Sequence, residues 1–188
     1  TSGTITKPNN TTMNIHGNKV NSIIQWGGGF NINKGESVNF GGNSKNYLNI
    51  AHGTNKSTID GLLNASGKNV FLINPNGIII EKGGIINANR FVASTSSMSS
   101  EDMWKFAKST QEQAGSFSPV FKPNPKGGNV INMGNINAND VLLIGNKVDI
   151  QGHLNTKDKT FNQIKAIDKG KKANIHLVGN EVHADVFT

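Results

Sequence analysis

The chain has no cysteine, which excludes disulfide scaffolds, thiolate zinc sites and cysteine nucleophiles. Among 19 basic residues there is a single arginine, Arg90, and arginine is the side chain that reads guanine and forks phosphate. The net charge of +7 therefore does not point to nucleic acid, and no nucleic-acid partner is expected. No apolar run approaches the ~20 residues that span a bilayer. The start, Thr1-Ser-Gly-Thr-Ile-Thr-Lys-Pro8, lacks the apolar stretch of a signal peptide. Composition leaves two readings: a cytoplasmic chain, or a mature secreted one whose leader is already absent.

Charged residues make up only 16% and hydrophobic ones 35%, so the rest is polar and uncharged. That share is dominated by 29 Asn, 22 Gly and 26 Ser plus Thr. Asn and Gly are poor in helix interiors and favoured in turns, which excludes a mainly helical protein. Disorder fits badly as well, because Val, Ile, Leu and Phe recur in short regular bursts.

The bursts follow a pattern. A Gly, an apolar pair and an Asn recur at Gly61-Leu-Leu-Asn-Ala65 and Gly84-Ile-Ile-Asn-Ala88, with variants at Gly134-Asn-Ile-Asn-Ala138 and Gly152-His-Leu-Asn-Thr156. Leu143–Val148 and Leu177–Val182 are near copies, spaced by a stretch that includes a basic insert. Without the insert the unit is about 18–23 residues, a solenoid period. Strands are predicted at Asn69–Asn74, Asn76–Glu81 and Asn89–Ala93. They are too short, and too close together without crossover helices, for a doubly wound α/β sheet. Stacked coils with Asn and Gly at the corners make the fold all-β: a parallel β-helix, or solenoid. A β-sandwich is the alternative from strand spacing alone.

Two stretches interrupt the repeat, and both are read as insertions carried by coils. Within 94–128, Ser100-Glu-Asp-Met-Trp-Lys-Phe-Ala-Lys108 opens with an N-cap residue and two acids suited to a helix start. Segment 156–172 carries six Lys against two Asp; it is read as a solvated basic loop. The whole chain is taken as one domain: cap and first coil at 1–45, central coils at 46–93, insertion at 94–128, and distal coils at 129–188.

Asn69-Val-Phe-Leu-Ile-Asn-Pro-Asn-Gly-Ile78 resembles the core of the haemagglutination-activity, or two-partner secretion, domain of large bacterial exoproteins. The nearest likeness is to the high-molecular-weight adhesins. Flanking motifs stand in the family's order: Ile23-Ile-Gln-Trp26 with Phe30-Asn-Ile32, Ser37-Val-Asn-Phe40, Ile59-Asp-Gly-Leu-Leu63 and Phe91-Val-Ala-Ser-Thr95. One departure is Leu48-Asn-Ile-Ala-His-Gly53, where the family often carries Leu-Asn-Arg-Val-Thr-Gly.

The resemblance implies a right-handed parallel β-helix with an N-terminal cap. It further implies a monomer that passes from the periplasm of a Gram-negative bacterium to the medium or cell surface. The implied partner is a cognate outer-membrane transporter, recognised through its periplasmic domains, with a glycan or host-cell surface as the alternative. Asn74, Pro75, Asn76, Gly77, Ile78 and Asn49 are the residues expected to carry transporter recognition or folding nucleation. The passenger is expected to be an adhesin, with a cytolysin or contact-dependent toxin as alternatives. Read by itself, Asn74-Pro75-Asn76-Gly77 is a turn: Asn suits its first position, Pro presets φ at the second, and Asn and Gly tolerate the backbone conformations of the last two.

No catalytic residues, metal or cofactor are expected. His16, His52, His153, His176 and His183 lack metal-ligand spacing. The 12 acids are scattered, so the clustered charges of a polysaccharide lyase are missing. Gly27-Gly-Gly29 lacks the strand-before, helix-after context of a phosphate cradle. Trp26, beside those glycines and Phe30, is read as a cap aromatic.

Overall fold

The computed structural model describes residues 3–97, 101, 127–155 and 175–184. Its strands stack in three columns. The first holds β2 (Thr12–Gly17), β4 (Ser37–Gly42), the early parts of β7 (Leu62–Ile73) and β9 (Ile85–Ser94), β11 (Asn135–Asn137) and β14 (His153–Asn155), all parallel. In the second are β3 (Asn21–Trp26), β5 (Asn46–Ala51), the later parts of β7 and β9, β12 (Asp140–Ile144) and β15 (Ile175–Val178). The third contains β6 (Ser57–Ile59), β8 (Ile78–Ile80), β10 (Val130–Asn132), β13 (Lys147–Ile150) and β16 (Glu181–Ala184). Each strand pairs with its equivalents one coil away, so the protein is a parallel β-helix.

Only β1 (Gly3–Asn9) breaks the rule among the described strands. It pairs antiparallel with β2 and covers the first coil. The sandwich alternative fails here, because a sandwich is built from antiparallel pairs. The near-copy segments stack as neighbours: Leu143 lies opposite Leu177, and Val148 opposite Val182. The predicted strand at Asn76–Glu81 shrinks to β8, since Asn76 and Gly77 belong to the turn before it. The one at Asn69–Asn74 is the second half of β7, which bends at a register shift between Ala65 and Asn69. Apart from Glu101, the predicted helix at 100–108 lies outside the described residues, as does the basic segment 156–172.

The core follows from alternation. Leu63, Ile86, Ile136 and Leu154 point inward from the first column, Val70, Leu72, Phe91 and Leu143 from the second, and Ile59, Ile78, Ile80 and Val148 from the third; all are fully buried. Each such side chain contributes about 1.5–3 kcal/mol. A second apolar cluster, Leu48, Phe71, Ile73 and Val92, occupies the opposite face of the second column and is also buried. The burst Val70-Phe-Leu-Ile73 is thus apolar on both faces of one strand.

The repeat glycines have a steric cause. A Cβ at Gly61 would lie 2.3 Å from the Glu36 carbonyl oxygen, at Gly84 2.5 Å from that of Ile59, at Gly134 2.4 Å from those of Glu81 and Gly84, and at Gly152 2.2 Å from that of Gly134. The four stack at one corner. The carbonyls of Gly61, Gly84 and Gly134 accept the amides of Ile85, Asn135 and His153 at 3.0, 3.0 and 2.8 Å.

The excess of asparagine also has a structural cause. Amides form a continuous ladder where the chain enters the second column: Asn46 Nδ2 donates to Asn21 Oδ1 (2.7 Å), Asn69 to Asn46 (2.7 Å), Asn89 to Asn69 (2.8 Å) and Asn139 to Asn89 (2.9 Å). Asn21, Asn46 and Asn69 are buried, so the rungs among them satisfy groups that water does not reach. Asn46→Ala interrupts the ladder at a buried rung, and the expected loss is roughly 2–4 kcal/mol. Urea unfolding checks this: the midpoint should fall while the slope stays unchanged.

Candidate functional site: the Asn74–Gly77 corner

The corner links the second column to the third. β7 ends at Ile73, the chain turns through Asn74, Pro75, Asn76 and Gly77, and β8 begins at Ile78. Gly77 N–H donates to the Asn74 carbonyl at 3.1 Å, which closes a β-turn. Inside it, Asn76 N–H donates to Asn74 Oδ1 at 3.0 Å, an Asx turn. Gly77 has φ +130°, a backbone region essentially restricted to glycine.

The corner is joined to the coils on both sides. Toward the preceding coil, Asn74 Nδ2 donates to the Asn55 carbonyl (3.0 Å) and to Ser57 Oγ (2.9 Å), and Asn76 Nδ2 to the Gly53 carbonyl (2.8 Å). Ser57 N–H donates to the Gly77 carbonyl at 3.0 Å. Toward the following coil, the Pro75 carbonyl accepts Gly128 N–H (2.8 Å), and Ile78 N–H donates to the Asn129 carbonyl (3.0 Å). Asn74 is 1% exposed, and its side-chain amide is occupied by these bonds. Pro75 and Asn76 are half-buried, and Ile78 lies in the core.

Five of the six expected residues therefore form one unit. Asn49 stands elsewhere, on β5, stacked below Leu72. Its Oδ1 accepts Trp26 Nε1 at 3.0 Å and its Nδ2 donates to the Phe71 carbonyl at 3.3 Å. Trp26 packs edge-on to Phe30, centroids 5.2 Å apart, so Asn49 holds the aromatic pair near the first coil. Sequence reasoning missed Asn55, Ser57 and Gly128 as parts of the corner. The sequence pattern puts Gly128 in a loop, yet a Cβ there would sit 2.2 Å from the Asn76 carbonyl oxygen. No local pattern marks that contact, because the insertion separates its two sides in sequence.

The remaining polar groups among the described residues do not assemble a reaction centre. Among the described residues, no cluster of three His, Asp or Glu side chains is placed to hold a metal. His52 Nε2 meets Gln25 Oε1 at 2.8 Å on the surface. His183 bonds Glu181 on exposed β16 and, with Lys147, holds the Glu181 carboxyl below its usual range.

A model of the TPS secretion domain matches residues 1–186. Among solved structures, the HMW1 secretion domain from Haemophilus influenzae is similar with a TM-score of 0.65 and 32% identity, over 82% of this chain and 40% of that one. Among curated proteins, the heme/hemopexin-binding protein of Haemophilus influenzae is 35% identical over 131 residues. The match covers 66% of this chain and 14% of that protein. Domains of this kind are secretion modules, not enzymes. The match along almost the whole length and the shared β-helix place the chain in a family: it belongs to the TPS secretion domains.

Proposed function

We propose that this domain directs export of a larger exoprotein through a cognate outer-membrane transporter, and that the Asn74–Gly77 corner nucleates its folding outside the cell. The observation that carries the corner's part is its bonding to coils on both sides, at Asn55, Ser57, Gly128 and Asn129. A turn bonded in both directions registers one coil against the next. With Asn74 buried and its amide occupied, the corner acts through folding, not through a side chain offered to the transporter. Ile78 seats the turn in the core, and Asn49 braces the cap through Trp26.

Two further features support export. The lack of cysteine means that no periplasmic disulfide locks the chain before it crosses. Among the described strands, the parallel pairing of each coil with its neighbours lets folding proceed in chain order. On this reading the whole chain is one functional unit, with the cap and first coil at 1–45 and the distal coils at 129–188. The passenger is an adhesin, and the protein acts at the cell surface or in the medium of a Gram-negative bacterium.

The test is release. With a signal peptide added, the chain should reach the medium only when the transporter is co-expressed, at least tenfold above the level without it. Periplasmic retention of a normally folded domain in the presence of its transporter would overturn the proposal.

A further inference from the structure

A second asparagine ladder lies on the outer face of the first column. Asn14, Asn39, Asn64, Asn87, Asn137 and Asn155 occupy six stacked strands in strict register. All six are half-buried and alternate with core residues such as Leu63, Ile86 and Ile136. Asn39 Nδ2 donates to Asn14 Oδ1 at 2.9 Å, Asn137 to Asn87 at 2.9 Å and Asn155 to Asn137 at 2.7 Å. Asn64 Oδ1 instead accepts Ser66 Oγ at 3.1 Å, so the amide bonds run in two stretches, Asn14 to Asn39 and Asn87 to Asn155.

Unlike the buried ladder, this one faces solvent. A side-chain amide has two N–H donors and two acceptor lone pairs. Asn137, bonded above and below, uses one of each and keeps a donor and a lone pair for a ligand, while Asn14, Asn39, Asn87 and Asn155 are bonded to an amide on one side only. The row two residues earlier on the same face is Thr12, Ser37, Leu62, Ile85, Asn135 and His153. Ile85 is 40% exposed and adjoins half-buried Leu62, so a two-residue apolar patch lies beside the amides. Neither row contains Lys, Arg, Asp or Glu.

We propose that this face binds an uncharged, extended polysaccharide lying along the solenoid axis. The surface repeats every coil, about 4.8 Å, close to the rise of one sugar in an extended β-1,4-linked chain. Each sugar then meets an amide that can both donate to and accept from its hydroxyls. The apolar C–H face of a pyranose covers Leu62 and Ile85. The absence of fixed charge in both rows matches a neutral ligand and leaves nothing to hold a polyanion. Because Asn14, Asn39, Asn87, Asn137 and Asn155 are each held by a neighbouring amide, little of their side-chain freedom is lost on binding. Such binding is independent of export.

The test uses the 188-residue chain with cellohexaose and chitohexaose, followed by titration calorimetry. At least one hexasaccharide should bind, with affinity at least tenfold above that of its disaccharide, because the contacts add coil by coil. Ile85→Glu and Leu62→Gln, each shown by circular dichroism to retain the wild-type fold, should weaken binding at least tenfold. Three results overturn the proposal: no binding of either hexasaccharide, equal affinity for disaccharide and hexasaccharide, or unchanged affinity in both folded variants. Dextran sulfate titrated in parallel supplies a polyanion control: its binding together with no binding of either neutral chain also overturns the proposal.

Discussion

Gly134→Val is expected to lose roughly 3 kcal/mol or more of stability, with the melting temperature lowered by on the order of 10 °C. The cause is backbone, not side chain. A Cβ at this position lies 2.4 Å from two carbonyl oxygens, those of Glu81 and Gly84, and neither can swing aside as a flexible side chain would. Gly84 is itself closed off by the Ile59 carbonyl, so moving one coil displaces the next. Alanine already introduces the clash, so Gly134→Ala should show a large part of the loss. Gly27→Ala is the control. Nothing lies within 4 Å of a Cβ there, and its effect should stay within about 0.5 kcal/mol. Thermal melts followed by circular dichroism decide it: equal melting temperatures for Gly134→Ala and Gly27→Ala would remove the glycine column as a packing constraint.

Asn74→Ala carries the second large effect. The substitution deletes both donors to the preceding coil and the Oδ1 that accepts Asn76 N–H. The buried Ser57 hydroxyl loses a partner, and the Asn55 carbonyl keeps only a longer contact of 3.4 Å with Asn76 Nδ2. Together these losses cost roughly 3 kcal/mol. If the corner nucleates folding, refolding from urea should slow by about as much as stability falls, and release into the medium should drop with it. Ser57→Ala removes one of the same bonds while leaving Asn74 in place, so it should reproduce part of both effects. Loss of release in an Asn74→Ala chain that refolds at the wild-type rate would shift the corner's role to direct contact with the transporter.

The solenoid was legible because its repeat is carried by residues with fixed spatial roles. Gly61, Gly84, Gly134 and Gly152 sit where two backbones nearly touch, and the Asn three residues after each, Asn64, Asn87, Asn137 and Asn155, stacks in register with the others. The earlier coils are harder to read. Glu36 stands where later coils have glycine, so Asn14 and Asn39 continue a ladder whose marker is missing. Strand lengths are hidden where one strand serves two columns. β7 runs for 12 residues through Ser66 and Gly67, residues that look like a break in any local pattern. The corner was recognisable as a turn from Asn-Pro-Asn-Gly. Its joining to Asn55 and Gly128 was not, because those bonds span 19 residues on one side and an insertion on the other.

The two amide ladders also bear on where the domain can work. Interactions between ions weaken with salt and change as protons bind, but an asparagine amide neither titrates nor attracts counterions. The rungs from Asn21 to Asn139, and those joining Asn14 to Asn39 and Asn87 to Asn155, therefore hold neighbouring coils together with the same strength in dilute buffer, brine or mild acid.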